Sequence, residues 1–165
     1  MHIAIASDHA GYELKEHLAK AVAGAGHAVT DLGTHSTEPV DYPDYAAAVA
    51  RAVVTGRVER GIVVCGSGAG AAIAANKVRG IRAAVAHDTY TAHQCVEHDD
   101  ANVLSLGSRV LGEQLAEELV RAFLEARFSG GERHVRRLAK IAALEAEAAG
   151  PQPPGSGLGP SAGAV

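Results

Sequence analysis

Short apolar runs alternate along the chain with longer stretches whose apolar positions recur every three or four residues. The first run, residues 2–7, reads HIAIAS, and after it Leu14, Leu18 and Val22 share the spacing of one helical face. The pattern predicts strands at residues 2–7, 27–32, 61–65, 82–86 and 102–106. It predicts helices at residues 12–23, 41–54, 69–77, 89–97, 112–127 and 132–149.

Strands that alternate with helices are typical of a mostly parallel sheet with helices on both faces. The run GIVVC at residues 61–65 is apolar throughout, as expected of a strand that is covered on both sides. We therefore expect an α/β fold: a Rossmann-like, three-layer, doubly wound sheet of about five strands with an extra helix at the carboxyl end. In such folds ligands bind beyond the carboxyl ends of the strands, so functional residues should follow the strands.

The composition changes abruptly at the carboxyl end. Residues 150–165 read GPQPPGSGLGPSAGAV and hold four of the six prolines. Such a segment buries too little apolar surface to offset its ordering entropy, so we expect a disordered tail. Residues 1–149 are then predicted to form a single domain.

Composition and charge exclude several classes of protein. No apolar run is long enough for a transmembrane helix, and the first residues, MHIAIASDHAG, lack the basic region of a signal peptide. Two cysteines thirty residues apart do not make a disulfide framework, which favours the cytoplasm. A net charge of −4 with 4% aromatic residues argues against nucleic-acid binding. No zinc-type spacing of His and Cys occurs, so no metal is expected.

Two clusters of polar residues follow predicted strands. Asp8 and His9 stand at the start of a helix, where Asp8 serves either as a helix cap or as a ligand for hydroxyl groups. The segment CGSGAG at residues 65–70 follows the third strand, and its glycines let backbone N–H groups approach an anion. A dinucleotide site is the rival interpretation, with Asp88 as the ribose contact, but the spacing is GxGxG rather than GxGxxG.

Cys65 opens this glycine-rich segment. A thiol beside such a loop at a helix N-terminus has its thiolate form favoured, although a lone cysteine is more often a small buried hydrophobe. Ser67 is either a hydrogen-bonding partner within the loop or a substrate contact. Cys95 lies inside a predicted helix without such surroundings, which indicates a structural role.

A histidine and three arginines complete the candidate chemistry. His98 precedes the fifth strand and is a candidate general acid near neutral pH. Arg109 follows that strand, and Arg133 and Arg137 share one helical face because they are four residues apart. Guanidinium groups so spaced suit a phosphate, but they are also compatible with a solvated basic face.

Taken in order, these segments resemble one family. The matching stretches are residues 7–11 (SDHAG), 41–43 (DYP), 65–70 (CGSGAG), 73–77 (IAANK), 80–83 (GIRA), His98, 102–104 (NVL), 107–109 (GSR) and the pair Arg133 and Arg137. The chain thus resembles the type B ribose-5-phosphate isomerases, a group that includes the galactose-6-phosphate isomerase subunits, over roughly residues 2 to 145. The resemblance implies an aldose–ketose isomerase that needs neither metal nor cofactor and interconverts ribose 5-phosphate and ribulose 5-phosphate.

The resemblance also implies roles for individual residues. Cys65 would move the proton between C1 and C2, and His98 would assist opening of the furanose ring. The oxyanion would be stabilised by Gly66, Ser67, Gly68, Ala69 and Gly70. The sugar hydroxyls would be contacted by Asp8. The phosphate would be bound by His9, Arg109, Arg133 and Arg137. Tyr42 would line the pocket. In the family the site lies between two subunits, so a homodimer or homotetramer is implied.

The chain departs from the family at Asp99, where an Asn usually follows the His. A side-chain amide is thus replaced by a carboxylate, which would alter contacts with a sugar hydroxyl, weaken binding of the enediolate or mark a different substrate. The alternatives that remain are an isomerase of a hexose 6-phosphate or another sugar, a catalytically silent subunit and a nucleotide-binding module.

Overall fold

The computed structural model describes residues 1–148 and folds them around one parallel sheet. The strands are β1 (His2–Ser7), β2 (Ala28–Asp31), β3 (Arg60–Cys65), β4 (Ala83–Val85) and β5 (Val103–Gly107), in the spatial order β2-β1-β3-β5-β4. The helices are α1 (Tyr12–Gly24), α2 (Tyr42–Val54), α3 (Ala69–Ala75), α4 (Thr89–Asp99), α5 (Glu113–Glu125) and α6 (Glu132–Ala148). Every paired strand is parallel to its neighbour, so the predicted α/β class is confirmed. The predicted tail, residues 150–165, lies outside the described residues.

Alternating side chains divide the core into two layers. Ile3 and Ile5 of β1 face one side of the sheet, where α1, α4 and α5 cover them. Ala4 and Ala6 face the other side, where α2 and α3 pack. The helices on the second side lie against small residues, and Val49 of α2 occupies the space that a side chain at residue 61 would need. Both faces of the sheet are therefore buried, as the apolar strands predict.

Helices α3, α4 and α5 end two residues away from the predicted positions, and the other described helix boundaries agree to within one residue. Helix α3 ends at Ala75 rather than at residue 77, because the Asn76 amide leaves the helix and clasps the edge of β4. Its oxygen accepts the Ala83 N–H at 2.8 Å, and its nitrogen donates to the Ala83 carbonyl at 2.9 Å. Helix α4 runs two residues further than predicted, to Asp99, and stops where Asp100 adopts a left-handed conformation with φ of 48°.

A short 3₁₀ turn (His9–Gly11) between β1 and α1 was not predicted. The turn lies so close to β3 that a Cβ atom at Gly11 would be 2.6 Å from the Val64 carbonyl oxygen. Only glycine fits there, which brings residues 8–11 against the end of β3. In the described part of the chain, no helix is both long and apolar enough to cross a membrane.

Candidate active site

Backbone hydrogen bonds join the loops that follow β1, β3 and β5. The Asp8 N–H donates to the Val64 carbonyl at 3.2 Å, and the Ser108 N–H donates to the Cys65 carbonyl at 2.9 Å. Together the loops enclose a cleft of about 500 Å³, the strand-end pocket. It is lined by Asp8, His9, Ala10, Tyr42, Cys65, Gly66, Ser67, Gly70, Arg109 and Val110. Eight of the predicted residues, Tyr42 among them, thus meet where the fold class places a ligand.

Cys65 lies at the base of this pocket and is 4% exposed. The N–H of Gly68 donates to its sulfur at a distance of 3.2 Å. A backbone donor so placed supports negative charge on the sulfur atom. Cys95 is also buried, but its thiol donates to the Ala92 carbonyl at 3.3 Å, and burial raises the pKa of that thiol to about 11. The two cysteines therefore differ in their hydrogen bonding, because the sulfur of Cys65 accepts and the thiol of Cys95 donates.

The glycine loop (residues 66–70) is hydrogen-bonded to β5 and lies close to two side chains. The Ser105 hydroxyl donates to the Gly68 carbonyl at 2.6 Å, which fixes the loop to β5. A methyl group built on Gly66 would lie 3.6 Å from the side chain of Arg109, and one on Gly70 would lie 2.7 Å from the Tyr42 ring. The guanidinium group and the phenol therefore bracket the loop, with exposed Ser67 between them.

Asp8 and His9 are fixed by their neighbours before any ligand binds. Asp8 is 7% exposed and accepts the Gly11 N–H at 3.0 Å, so the capping interpretation holds and the carboxylate also reaches the pocket. Nδ1 of His9 lies 3.1 Å from the backbone nitrogen and 3.2 Å from the carbonyl oxygen of Val40. The backbone of Val40 therefore positions the ring beside the pocket, where a protonated ring nitrogen can donate to an anion.

The other predicted site residues do not reach this pocket. His98 and Asp99 end α4, which returns the chain to the amino end of β5, whereas Cys65 lies at the carboxyl end of β3. These two candidate residues, which the sequence places before the fifth strand, therefore lie at the opposite edge of the sheet from the pocket. Arg133 and Arg137 lie on α6 and join them in a second group, the α4–α6 cluster, whose members are His98, Asp99, Arg133, His134 and Arg137.

His134 is the member that the sequence analysis missed. Its ring stacks on that of His98 with centroids 4.2 Å apart and planes at 23°. It is 4% exposed and accepts a hydrogen bond from Nε of Arg133 at 3.0 Å. Burial lowers the pKa of His134, and the positive charges of His98 and the two arginines lower it further. The sequence feature that could have indicated His134 is its place between Arg133 and Arg137 on a predicted helix.

Helix α6 contacts the rest of this chain sparingly. Among residues 132–147 only His134 is buried. Apolar Val135, Ile141 and Leu144 are all at least 46% exposed. Among residues 1–148 no three His, Cys, Asp or Glu side chains lie close enough to form a metal site.

Comparison with known proteins identifies relatives that match this chain over most of its length. The family model described as Ribose/Galactose Isomerase matches residues 3–141. Ribose-5-phosphate isomerase B of Escherichia coli (strain K12) is 47% identical over 143 residues, which is 87% of this chain and 95% of the relative. D-erythrulose-4-phosphate isomerase of Pectobacterium atrosepticum is 45% identical over 130 residues, 78% of this chain and 86% of the relative.

A solved structure agrees with the sequence relatives. Ribose-5-phosphate isomerase B of Clostridium thermocellum superposes with a TM-score of 0.88 at 51% identity. The alignment covers 90% of this chain and 99% of that one. The match therefore extends over both the strand-end pocket and the α4–α6 cluster, and the chain belongs to the ribose/galactose isomerase family.

Proposed function

We propose that this protein interconverts ribose 5-phosphate and ribulose 5-phosphate through an enediolate, without a metal or another cofactor. The observation that carries the proposal is the placement of Cys65, whose sulfur accepts the Gly68 N–H inside a pocket that also holds Asp8 and Arg109. Membership of an isomerase family and the relatives named for this reaction support it.

Proton transfer requires a base beside C1 and C2 of the open-chain sugar. The Cys65 thiolate takes the proton from C2 of the aldose, and the electron pair of that C–H bond forms the C1–C2 double bond of the enediolate. The same thiol then returns the proton to C1, while the O2 proton moves to O1, so that the ketose has gained and lost no atoms. N–H groups of the glycine loop and the Ser67 hydroxyl stabilise the oxyanion as it forms.

The phosphate provides binding energy away from the reacting carbons. A phosphate monoester carries about −1.5 to −2 charges at neutral pH, so it needs several donors. His9 and Arg109 supply donors from within the strand-end pocket. Anchoring the phosphate positions C1 and C2 against Cys65, which is where such remote binding raises the rate.

The remaining groups come, in this proposal, from a second copy of the chain. His98, Asp99, Arg133 and Arg137 lie at the opposite edge of the sheet from Cys65, so one chain cannot place them in its own pocket. In a twofold-symmetric dimer each α4–α6 cluster faces the pocket of the partner. The exposed apolar side chains of α6 then pack on the second subunit. A homodimer, or a homotetramer made of two dimers, satisfies this arrangement.

His98 then has a role that precedes proton transfer. Ribose 5-phosphate is cyclic in solution, and its ring must open before a base reaches C2. From the second subunit, the His98 imidazole donates a proton to the ring oxygen while Asp8 holds the sugar hydroxyls. Ribulose 5-phosphate has no free 5-hydroxyl and is acyclic, so it needs no such step.

Carbon number is a second question about the same site. A 45% identical relative is named for D-erythrulose 4-phosphate, so a tetrose phosphate is the rival substrate, together with a hexose 6-phosphate. The carboxylate of Asp99 belongs to the same α4–α6 cluster as the two arginines and bears on this choice. Comparing kcat/KM for the three chain lengths decides it.

The test measures isomerisation of ribose 5-phosphate by the EDTA-treated protein and two alanine variants. We expect activity in the wild type, a loss of at least about 1000-fold in Cys65→Ala, and an unchanged rate in Cys95→Ala, the matched thiol control. An active Cys65→Ala variant would assign the base elsewhere. A wild type that is inactive on all three sugar phosphates, and that nucleotides alone stabilise against heat, would overturn the proposal.

A further inference from the structure

One buried histidine links the two parts of the α4–α6 cluster. His134 of α6 packs its ring on the ring of His98 of α4, with centroids 4.2 Å apart and planes inclined by 23°. It also accepts the hydrogen bond from Nε of the neighbouring Arg133 at 3.0 Å. A single side chain therefore contacts both the histidine and an arginine to which the proposed function assigns roles.

The hydrogen bond determines where His134 carries its proton. Nε of arginine only donates, so Nε2 of His134 must be the acceptor and the neutral ring is protonated at Nδ1. Nδ1 is buried and has no hydrogen-bond partner among the described residues. An imidazolium would also carry a proton on Nε2, which would face the Arg133 donor, and its charge would lie beside two guanidinium groups, so the neutral ring is favoured.

The surrounding charges act in the same direction. The groups that face His134 are His98 and Asp99 from α4, and Arg133 and Arg137 from its own helix. Burial lowers the pKa of His134, and His98 and the two arginines lower it further, whereas Asp99 raises it. The buried ring of the stacked pair therefore favours its neutral form.

We propose that His134 is a positioning residue, a neutral platform that orients the His98 ring for sugar ring opening and the Arg133 guanidinium for phosphate binding. The proposal rests on the proposed function for the roles of those two residues, and it assigns His134 no contact with the reacting atoms. Its two functions are carried by different parts of the ring. The flat surface holds His98, and the Nε2 lone pair holds Arg133.

Two substitutions separate the two functions. His134→Phe keeps a flat ring but loses the acceptor, so we expect KM to rise about fivefold for both ribose 5-phosphate and ribulose 5-phosphate with kcat nearly unchanged. His134→Gln keeps an oxygen acceptor near the Nε2 position but loses the ring. We expect it to lower kcat for cyclic ribose 5-phosphate about three- to tenfold, and to lower kcat for acyclic ribulose 5-phosphate much less.

A matched control is His93→Gln, the same change at an exposed histidine of α4 that lies outside the site. It should leave both kinetic constants unchanged. A histidine that only stabilised the fold would instead reduce activity on both sugars in proportion to the loss of melting temperature. That result, or unchanged kinetics in both His134 variants, would overturn the proposal.

A measurement that does not depend on turnover keeps this inference separate from the proposed function. The stacked His134 ring shifts the proton resonances of His98, so His134→Gln should move the His98 Hε1 signal while His93→Gln should not. If the wild type is active but the signal does not move, the positioning role fails and the isomerase proposal stands. If the signal moves in a protein that turns over no sugar phosphate, the platform is real but its catalytic purpose is wrong.

Discussion

The carboxyl end of β5 passes so close to the glycine loop that one added methyl group displaces the loop. A Cβ atom on Gly107 would lie 2.7 Å from the Ser67 carbonyl carbon and 2.8 Å from its oxygen. Ordinary contact begins at 3.4 Å, so Gly107→Ala moves backbone by about 0.7 Å. No side chain can rotate to relieve the overlap, because all the nearest atoms belong to the Ser67 backbone.

This displacement has a calculable effect on stability and rate. Overpacking of this kind costs about 2–3 kcal/mol, which in a chain of this size lowers the melting temperature by about 4–10 °C. The same shift is large enough to break the 3.2 Å hydrogen bond from Gly68 to the Cys65 sulfur. Misplacement by somewhat less than 1 Å at a reacting centre costs up to about 100-fold in kcat.

Gly70→Ala is the matched control. Its Cβ atom would lie 2.7 Å from the ring of Tyr42, but that ring is 40% exposed and can swing aside. We expect a melting temperature within a few degrees of wild type and a change in KM rather than in kcat. Thermal melting and steady-state kinetics on ribose 5-phosphate decide the matter. Wild-type kcat and melting temperature in Gly107→Ala would refute the claim that β5 sets the position of the loop.

Three further substitutions have defined outcomes. Asp31→Asn removes the carboxylate that lies 2.6 Å from the fully buried Lys15 ammonium. Because Glu16 remains as a partner, the free energy of unfolding, measured in urea, should fall by about 2 kcal/mol, which is less than for a fully buried ion pair. Asp99→Asn removes a carboxylate beside the proposed phosphate clamp and should lower KM for ribose 5-phosphate about three- to tenfold, whereas an unchanged or higher KM would contradict that placement. Hydrogen bonds from Thr91 lower the pKa of Asp88, so the ionised carboxylate stabilises the folded protein. This contribution to the free energy of unfolding is complete above the unfolded pKa of about 3.9 and is lost as the pH falls through the lower pKa of the folded state. Asp88→Ala should therefore lower the melting temperature at pH 7, with a difference from wild type that shrinks below about pH 4.

Much of the fold follows from periodicity because both the strands and the helices bury strongly patterned faces. The run at residues 61–65 lies within β3, and Leu14, Leu18 and Val22 form the buried face of α1. A boundary that differs, such as the end of α3, depends on a side chain that takes the place of a backbone hydrogen-bonding partner, as the Asn76 amide does with the backbone of Ala83. Periodicity does not register such contacts.

Which candidate residues lie together was predictable where they follow strands and was not predictable where they do not. Asp8, Cys65 and Arg109 meet because the carboxyl ends of parallel strands share one edge. His98 lies at the other edge, because the helix that carries it returns the chain to the start of β5. The role of His134 depends on a contact between α4 and α6, which sequence spacing alone does not reveal.

The proposed shared site takes Cys65 from one subunit and His98 from the other. Cys65→Ala and His98→Ala chains, each nearly inactive alone, are coexpressed in equal amounts. Random pairing makes half the dimers mixed, and each mixed dimer has one intact site, so about a quarter of wild-type activity should return. Coexpression of His98→Ala with Arg137→Ala, two lesions in the same cluster, should restore nothing. If the first mixture is no more active than its separate components, the shared site is contradicted.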